Sequence, residues 1–322
     1  MLPGPMSTTG TLLVRLAGMP PVVRAPRSAF GGVRRKGGLN RQPTNRSGGT
    51  FAAVRRREPT GTSPRNVQDV RTIAIVRFQA HSVGKARVNE GQCVVVDHAQ
   101  LKGADFSGRK LVQFSAVGSR FEACRFDHAR IDGASFGGGR ETSEYVQCSF
   151  DGARIRFGPG GYARFVQCSF RNVDLRDWFC FAVELVDCTF SGRLRKAFFN
   201  GTVPVEKRAA AGQDRNEFHD NDFSAMTLID VGFRTGIDLT QQRLPSRPEY
   251  LYVPNAAAAL QRARASVIGW DDLDLRQSAM AFIKILEEEI AAGQRQFFLR
   301  PADYASVRKD AVAAVVGCLR EG

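Results

Sequence analysis

A five-residue period runs through the middle of the sequence and constrains the fold more than any other feature. From Val96 an apolar or small residue returns at every fifth position as far as Phe136, and after four extra residues the period resumes at Tyr145 and continues to Phe190. An α-helix repeats every ~3.6 residues and a β-strand every two, so neither produces this pattern. The period therefore predicts a repeat architecture.

A second, longer period arranges these segments into circuits. The segments 146–150, 166–170 and 186–190 are nearly identical and recur at intervals of 20 residues, which is four five-residue units. One circuit of the chain is therefore predicted to have four sides. Two columns then line up, with the four-residue insertion allowed for: Phe106, Phe126, Phe150, Phe170 and Phe190, and two positions earlier Ala104, Cys124, Cys148, Cys168 and Cys188.

Packing inside a tube explains the alternation of large and small residues. On each side the central residue and the residue two positions before it would point inward, while the other three face solvent. Successive circuits would stack at the strand spacing of about 4.8 Å, so that each phenylalanine lies over the next. No circuit folds alone, but stacked circuits share one core. Gly158 and Gly160 would take both inward positions of one side, and a bulge is expected there.

These residues resemble the motif of a known repeat family. Ala104-Asp105-Phe106 and Asn172-Val173-Asp174-Leu175 are similar to the pentapeptide-repeat pattern of Ala, Asp or Asn, Leu or Phe, and two variable residues. The resemblance implies an all-β solenoid core, a right-handed quadrilateral pentapeptide-repeat β-helix. Around it we expect a C-terminal α-helical region and a disordered N-terminal arm, with domains at 1–88, 89–240 and 241–322.

The N-terminal arm holds almost all of the excess charge. Residues 1–90 contain 16 lysines and arginines against three acids, so the remaining 30 basic and 29 acidic residues nearly cancel. Few aromatic residues and abundant Arg, Gly, Pro and Ser predict disorder over residues 1–88. The composition is also typical of an organelle transit peptide, and a translation start further downstream is a third explanation. Such an arm would bind nucleic acid weakly and without sequence preference.

The sequence after about residue 248 changes to a helical period. Asn255 can cap a helix starting at Ala256, an apolar stripe runs from Leu275 to Ile290, and a third helix is predicted to start at Pro301. An open solenoid end would leave strand edges and core rings uncovered, so we expect these helices to cap the coil. Self-association into a homodimer through the same helices is the alternative.

Residues that could carry chemistry are scattered. The seven cysteines show no metal-ligand spacing, and the stacked ones are predicted to be buried fillers in a protein of the reducing cytoplasm. His98 and His128 fall on different sides of the coil. Residues 133–137 match the GxSxG nucleophile motif, but Ser135 would lie between two inward residues instead of on a strand-to-helix turn. We therefore expect no catalytic site, metal or cofactor, and no membrane span.

Two interruptions of the five-residue period predict loops that project from the coil. They span residues 137–144 and 196–215, and their charged residues are the candidate partner-binding residues: Arg140, Glu141, Glu144, Glu206, Lys207 and Arg208. A rigid coil with mixed-charge faces and projecting loops predicts a non-enzymatic scaffold that binds another protein.

The resemblance implies one specific alternative. Some pentapeptide-repeat proteins, including the Qnr group and MfpA, bind type II topoisomerases such as DNA gyrase by resembling duplex DNA and protect them from inhibitors, and in the Qnr group two projecting loops assist. A DNA mimic should be acidic, however, whereas residues 91–240 contain 19 basic and 19 acidic side chains. Nucleic-acid binding through the N-terminal arm is the remaining alternative.

Overall fold

The chain folds into a four-sided coil followed by a helical region. The computed structural model describes residues 75–78, 92–158 and 161–320, the first of these by its backbone alone. Residues 72–322 form one compact unit. Its strands and helices are β1 (Ile75–Phe78), β2 (Gln92–Asp97), β3 (Gln100–Lys102), β4 (Lys110–Val117), β5 (Arg120–Glu122), β6 (Arg130–Ser135), β7 (Ser143–Val146), β8 (Arg154–Phe157), β9 (Tyr162–Val166), β10 (Ser169–Cys180), β11 (Ala182–Val186), β12 (Thr189–Asn200), α1 (Val205–Ala211), β13 (Phe218–His219), β14 (Asn221–Arg234), β15 (Gln242–Arg243), β16 (Leu251–Val253), α2 (Ala256–Ile268), α3 (Leu273–Ala291), β17 (Phe297–Leu299) and α4 (Lys309–Arg320).

Parallel pairing between successive circuits defines four sides, which we number in chain order. The even-numbered strands from β2 to β14 pair in sequence along sides 3 and 4, and the odd-numbered strands from β3 to β13 pair along side 1. Isolated bridges continue the pairing along side 2. The central inward residues are Leu101, Phe121, Tyr145, Phe165, Leu185 and Phe218 on side 1; Phe106, Phe126, Phe150, Phe170, Phe190 and Phe223 on side 2; Leu111, Ile131, Ile155, Leu175, Leu194 and Leu228 on side 3; and Val96, Ala116, Phe136, Cys180, Phe199 and Phe233 on side 4.

The predicted aromatic column on side 2 is confirmed. The ring centroids of Phe126 and Phe150 are 4.8 Å apart and those of Phe150 and Phe170 are 4.6 Å apart, with the planes nearly parallel. A second column on side 1 stacks Tyr145 between Phe121 at 4.6 Å and Phe165 at 4.7 Å. Because these separations match the strand spacing, ring stacking and backbone pairing are satisfied by one geometry.

Residues in the left-handed backbone region form many of the corners. At the corner between sides 1 and 2, Gln147, Gln167 and Asp187 have φ of 53°, 54° and 53°. At the corner between sides 2 and 3, Gly192 has φ of 101°, and a Cβ there would come within 2.3 Å of the Val173 carbonyl oxygen. Glycine is therefore required at 192. At this corner the spacing between paired residues falls from 20, for Phe170 and Phe190, to 19, for Val173 and Gly192.

Side 4 keeps its core volume constant by exchanging large and small residues between its two inward positions. Phe114 precedes Ala116, the order reverses to Ala134 and Phe136, and it reverses again where Trp178 precedes Cys180; all are buried. The prediction that Gly158 points inward was wrong. A register shift between β6 and β8 pairs Ala134 with Phe157, and the Phe157 ring fills the interior by stacking on Trp178 at 4.3 Å.

The buried thiols are hydrogen-bond donors as well as fillers. Each thiol on side 2 donates to a side 1 carbonyl of the preceding circuit; Cys168, for example, bonds the Tyr145 carbonyl oxygen at 3.3 Å. The equivalent bonds run from Cys124 to Leu101, from Cys148 to Phe121 and from Cys188 to Phe165. Burial raises the pKa of the Cys168 thiol well above its usual range, so this thiol stays protonated and able to donate.

Amide side chains replace the thiols in the last two circuits. The Asn221 Nδ2 donates to the Leu185 carbonyl oxygen at 2.8 Å, and its Oδ1 accepts from the Cys188 N–H at 3.1 Å. Gln242 donates in the same way to the Phe218 carbonyl oxygen at 2.9 Å and accepts from Asn221 at 3.1 Å. These buried amides form a connected network, which fixes the order of the last circuits.

The first described strand lies inside the range predicted to be disordered. Residues Ile75–Phe78 form β1, which pairs in parallel with β2 from Cys93 to Val96. The run Ile-Val-Arg-Phe is rich in residues that favour strands. The rest of the predicted arm, residues 1–74 and 79–88, lies outside the described residues. The basic residues predicted to bind nucleic acid are among them.

The C-terminal helical region packs against the last circuit of the coil. Phe298 on β17 meets Phe233 with ring centroids 6.2 Å apart, and the Tyr250 hydroxyl bonds the Leu228 backbone. As predicted, Asn255 caps α2 by accepting from Ala258 N–H at 3.2 Å. The third helix starts at Lys309 and not at Pro301, because Pro301–Asp303 forms a separate 3-10 turn.

Truncation of a ring in the side 2 column should destabilise the coil strongly. We expect Phe150→Ala to lower the free energy of unfolding by about 3–5 kcal/mol, because it opens a cavity between two stacked rings. Urea denaturation followed by circular dichroism measures the change. Val112→Ala, at a side chain that is 45% exposed, should shift it by less than about 0.5 kcal/mol; equal effects from the two substitutions would refute the stacked core.

The amide network predicts a graded response at position 221. Asn221→Ala removes the side-chain donor to the Leu185 carbonyl and the acceptor of the Cys188 N–H, and we expect a loss of about 2–5 kcal/mol in the free energy of unfolding. Asn221→Cys restores the donor used by the preceding circuits and should cost clearly less. The same denaturation assay ranks the two variants, and an Asn221→Cys variant as unstable as Asn221→Ala would contradict the carbonyl-donor role.

Candidate functional site

Both interruptions of the period leave the coil at the same corner. Insertion 1, residues 137–142, lies between β6 and β7, and insertion 2, residues 201–217, lies between β12 and β13. Each follows a side 4 strand and precedes a side 1 strand, so both project from the corner between these sides, which we call the insertion edge. Residues 196–200, predicted to begin the second loop, belong instead to β12, where the shorter circuit at Gly192 turns Ala197 and Phe199 inward.

Insertion 1 is held against the first circuits of the coil. The Glu141 carboxylate contacts the His98 Nε2 at 2.9 Å, and the His98 Nδ1 contacts Asp97 at 2.6 Å. The hydrogen bonds to Asp97 and Glu141 raise the pKa of His98. Glu144 lies on β7 and pairs with Arg120 one circuit earlier. Of the three predicted residues in this segment, only Arg140 is exposed without a described partner.

Insertion 2 contains the short helix α1 and is anchored by a buried carboxylate. Glu184, only 5% exposed, accepts from Gln213 Nε2 at 2.8 Å and from Glu217 N–H at 3.0 Å. Arg164 pairs with the same carboxylate at 2.8 Å and with Glu217 at 2.6 Å. Because the buried charge is fully partnered, the C-terminal end of insertion 2 is fixed to side 1.

The basic residues of α1 face in two directions. The Lys207 ammonium lies over the Tyr162 ring at 5.5 Å and over the Phe181 ring at 5.7 Å, within the range of cation–π attraction. Arg208 turns back to donate to the Val203 carbonyl oxygen at 3.0 Å. Glu206 is exposed. Of these predicted residues, Lys207 therefore ties insertion 2 to the aromatic side chains of the coil.

An aromatic cluster of Phe179, Phe181 and Phe198 lies beside insertion 2. Phe198 packs between the other two, with ring centroids 5.2 Å from Phe179 and 4.8 Å from Phe181. Phe179 and Phe181 are each 37% exposed, whereas Phe198 is 7% exposed. The Arg234 guanidinium lies 5.9 Å from the Phe198 ring. The cluster presents two large apolar rings to solvent on a rigid base.

Sequence reasoning missed this cluster although the signal was present. In Trp178-Phe179-Cys180-Phe181 the period assigns only positions 178 and 180 to the interior, so the two phenylalanines between and after them must face outward. At the equivalent outward position of side 4 the earlier circuits have Ser115 and Ser135. The exposed rings therefore replace small, uncharged side chains of the earlier circuits.

Insertion 1 and the aromatic cluster are connected through Tyr162. The Gly137 carbonyl oxygen accepts from the Tyr162 N–H at 3.2 Å, and a Cβ at Gly137 would lie 2.1 Å from the Tyr162 carbonyl oxygen. The Tyr162 ring packs with Ala182 and Val203 and lies under Lys207. The insertion edge is thus one continuous surface from insertion 1 to the cluster.

The structure forms no nucleophile elbow at Ser135. This residue ends β6 and is followed by insertion 1 instead of a helix, so the strained strand-to-helix turn of the GxSxG motif is missing there. Among the described residues, no group of three or more His, Cys, Asp or Glu side chains is placed to hold a metal ion. No helix in the described part of the chain is long and apolar enough to cross a membrane.

Comparison with known proteins identifies the class of the coil. Residues 99–138 match a family model described as pentapeptide repeats, in eight copies. The match and the four-sided coil with the same period show a β-solenoid of that class. The chain therefore contains pentapeptide repeats, and the coil that they form continues beyond the matched residues to β15.

The other comparisons add no argument about function. No curated protein matches the chain. Two solved structures of trypsin-treated QnrB1 variants, described as a plasmid-mediated fluoroquinolone resistance protein, are similar at 14% and 12% identity. They cover 44% and 50% of this chain and 82% and 91% of theirs, with TM-scores of 0.13 and 0.14.

The attachment of insertion 1 predicts a dependence of the His98 titration on Glu141. A partner carboxylate favours the protonated imidazole, so the pKa of His98 should lie above 6.5 and should fall toward that value in Glu141→Gln. Because the folded-state pKa is raised, this contact holds insertion 1 at acidic pH and weakens as the pH rises through that pKa. Imidazole chemical shifts in an NMR titration measure it. Glu144→Gln, which removes the partner of Arg120, should leave the His98 titration unchanged.

Proposed function

We propose that the coil is a non-enzymatic scaffold that binds another protein at the insertion edge. The observation that carries this proposal is the pair of exposed rings, Phe179 and Phe181, each 37% exposed to solvent. Aromatic anchors surrounded by polar groups are typical of the centres of protein interfaces. The partner would supply an apolar pocket or ridge for these rings.

Rigidity of the edge supports the proposal. The rings are carried by β10 and by the corner that follows it, and the neighbouring insertion 2 is fixed through Glu184 and Arg164. Little conformational entropy would be lost on binding to such a surface, so more of the contact energy would appear as affinity. Lys207 holds the cluster, while Arg140 and Glu206 form the charged rim.

The alternative of topoisomerase protection by DNA mimicry has no specific support at the insertion edge. A DNA mimic needs a continuous acidic surface, whereas side 4 has small and aromatic outward residues at Ser115, Ser135 and Phe179. A gyrase supercoiling assay in the presence of a quinolone tests it, and rescue of supercoiling by this protein would favour that function over the general scaffold. For the compartment we propose the cytoplasm, since six of the seven cysteines are free, buried thiols.

The scaffold proposal predicts that one protein is captured through the aromatic cluster. Full-length protein and a Phe179→Ser/Phe181→Ser variant are immobilised and incubated with extract of the native cell, and retained proteins are quantified by mass spectrometry. We expect at least one partner to be reduced about tenfold or more by the double substitution, because its two anchors are lost.

A matched variant controls for the loss of exposed apolar area. Ile268→Ser/Leu273→Ser removes two side chains that are 57% and 52% exposed in the C-terminal helices, far along the chain from the edge. This control should retain the partner at the wild-type level. Equal capture by wild type and the edge variant, or equal loss in both variants, would show that the cluster is not the binding surface.

A further inference from the structure

Side 3 of the coil carries two adjacent columns of outward residues, most of which are basic. In the first column the register places Lys110, Arg130, Arg154, Asp174 and Arg193 side by side on successive strands. In the second column Arg156, Arg176 and Arg195 occupy the same position on three successive strands. The expectation of mixed charge on every face was therefore wrong: near-neutrality of the coil as a whole conceals a segregation of charge by side.

Counting the outward residues of sides 1, 2 and 3 without the corner residues makes the segregation explicit. Side 3 has seven basic residues against Asp132 and Asp174, a net charge of +5. Side 1 has three basic and four acidic residues, a net charge of −1: Lys102, Arg120, Arg164, Glu122, Glu144, Glu184 and Glu217. Side 2 also has three basic and four acidic residues: Arg125, Arg171, Arg243, Asp105, Asp127, Asp151 and Asp222.

The acids of side 3 neutralise only part of its charge. Asp132 pairs with Arg130 at 3.2 Å, the corner residue Asp177 with Arg156 at 2.9 Å and Asp174 with Arg195 at 2.8 Å. Within the described part of the chain, three exposed arginines of this side have no ion-pair partner: Arg154, Arg176 and Arg193. These three guanidinium groups are available to an external anion.

Backbone pairing forces like charges together on this side. Arg130 and Arg154 are register partners, and Arg176 lies between Arg156 and Arg195. Strands are about 4.8 Å apart, and like charges directly opposite each other on neighbouring strands are destabilising. A bound polyanion would relieve this repulsion, whereas elsewhere the coil places opposite charges in register, as in Lys102 with Glu122 at 2.6 Å.

The dimensions and composition of side 3 fit one class of polyanion. Four strand steps from Lys110 to Arg193 span roughly 19 Å, which matches about five to six phosphates along one strand of a DNA duplex. The row is straight and held by the backbone, so it suits a straight and stiff partner. Single strands are usually bound with the help of aromatic stacking, and no aromatic residue occupies the outward positions of the five described strands that carry these columns on side 3.

We propose that side 3 contacts the phosphate backbone of duplex nucleic acid without reading its sequence. Arg154, Arg176 and Arg193 donate hydrogen bonds to phosphate oxygens, and the neighbouring paired arginines add to the field. This surface is separate from the insertion edge, because side 3 and the corner of sides 4 and 1 do not adjoin. Protein binding at the edge and duplex binding on side 3 can therefore fail independently.

The test compares two triple variants of the full-length chain that lose equal charge. Arg154→Gln/Arg176→Gln/Arg193→Gln removes the three unpaired arginines, and Lys102→Gln/Arg125→Gln/Arg243→Gln removes three exposed basic residues from sides 1 and 2. Affinity for a fluorescent 20-base-pair DNA duplex is measured by anisotropy at several salt concentrations. Both variants keep residues 1–91, so any binding by the N-terminal segment is common to them.

We expect the side 3 variant to raise the Kd about tenfold or more and to reduce the salt slope of log K by about 2 to 3, as expected for three lost phosphate contacts. The control variant should stay within about twofold of wild type. Equal losses in both variants, or none in the side 3 variant, would overturn the proposal. So would tighter binding of the single strand than of the duplex, or equally effective competition by polyglutamate, which would indicate an acidic protein partner. Thermal unfolding at the wild-type temperature confirms that the variants are folded.

Discussion

The parallel backbone ladder between successive circuits is the constraint on which the rest of the structure depends. It fixes the distance between circuits, and the side 2 rings stack at that same distance, from 4.4 Å between Phe190 and Phe223 to 4.8 Å between Phe126 and Phe150. The same spacing applies to the surface, since each outward residue lies directly over its equivalent in the next circuit. The outward residues of this protein therefore form columns, and each column has its own chemistry.

Much of the coil could be predicted from the sequence because one physical requirement, a buried ring once per circuit, leaves a visible period. Phe126, Phe150 and Phe170 are 24 and 20 residues apart, and the longer interval locates insertion 1. Side 4 was less predictable. Phe114 and Trp178 keep the core volume constant, but their rings lie two positions before the central residue of that side. The one-residue contraction at Gly192 depends on a backbone conformation that spacing alone does not reveal.

The candidate sites were predicted less completely than the fold. The insertions were located by their interruption of the period, but the partners of their charged residues depend on contacts distant in sequence, such as that of Glu141 with His98. Net charge summed along the chain concealed the basic columns, because charges that cancel in sequence are separated in space. The exposed rings of Phe179 and Phe181, in contrast, could have been predicted, because the five-residue period assigns both positions to the outer surface.

The change from thiols to amides at Asn221 and Gln242 has a consequence for how this coil could change in length. A circuit with a cysteine on side 2 is interchangeable with its neighbours, because each of these thiols donates the same hydrogen bond to the circuit before it. Duplicating such a circuit would add one more equivalent thiol-to-carbonyl hydrogen bond to the series. The two amides are not interchangeable with the thiols. Asn221 accepts a hydrogen bond from the Cys188 N–H of the preceding circuit and donates one to Gln242 of the next. This pair cannot be duplicated without leaving an amide unpaired. Gain or loss of circuits should therefore be tolerated before Cys188 and should destabilise the coil after it.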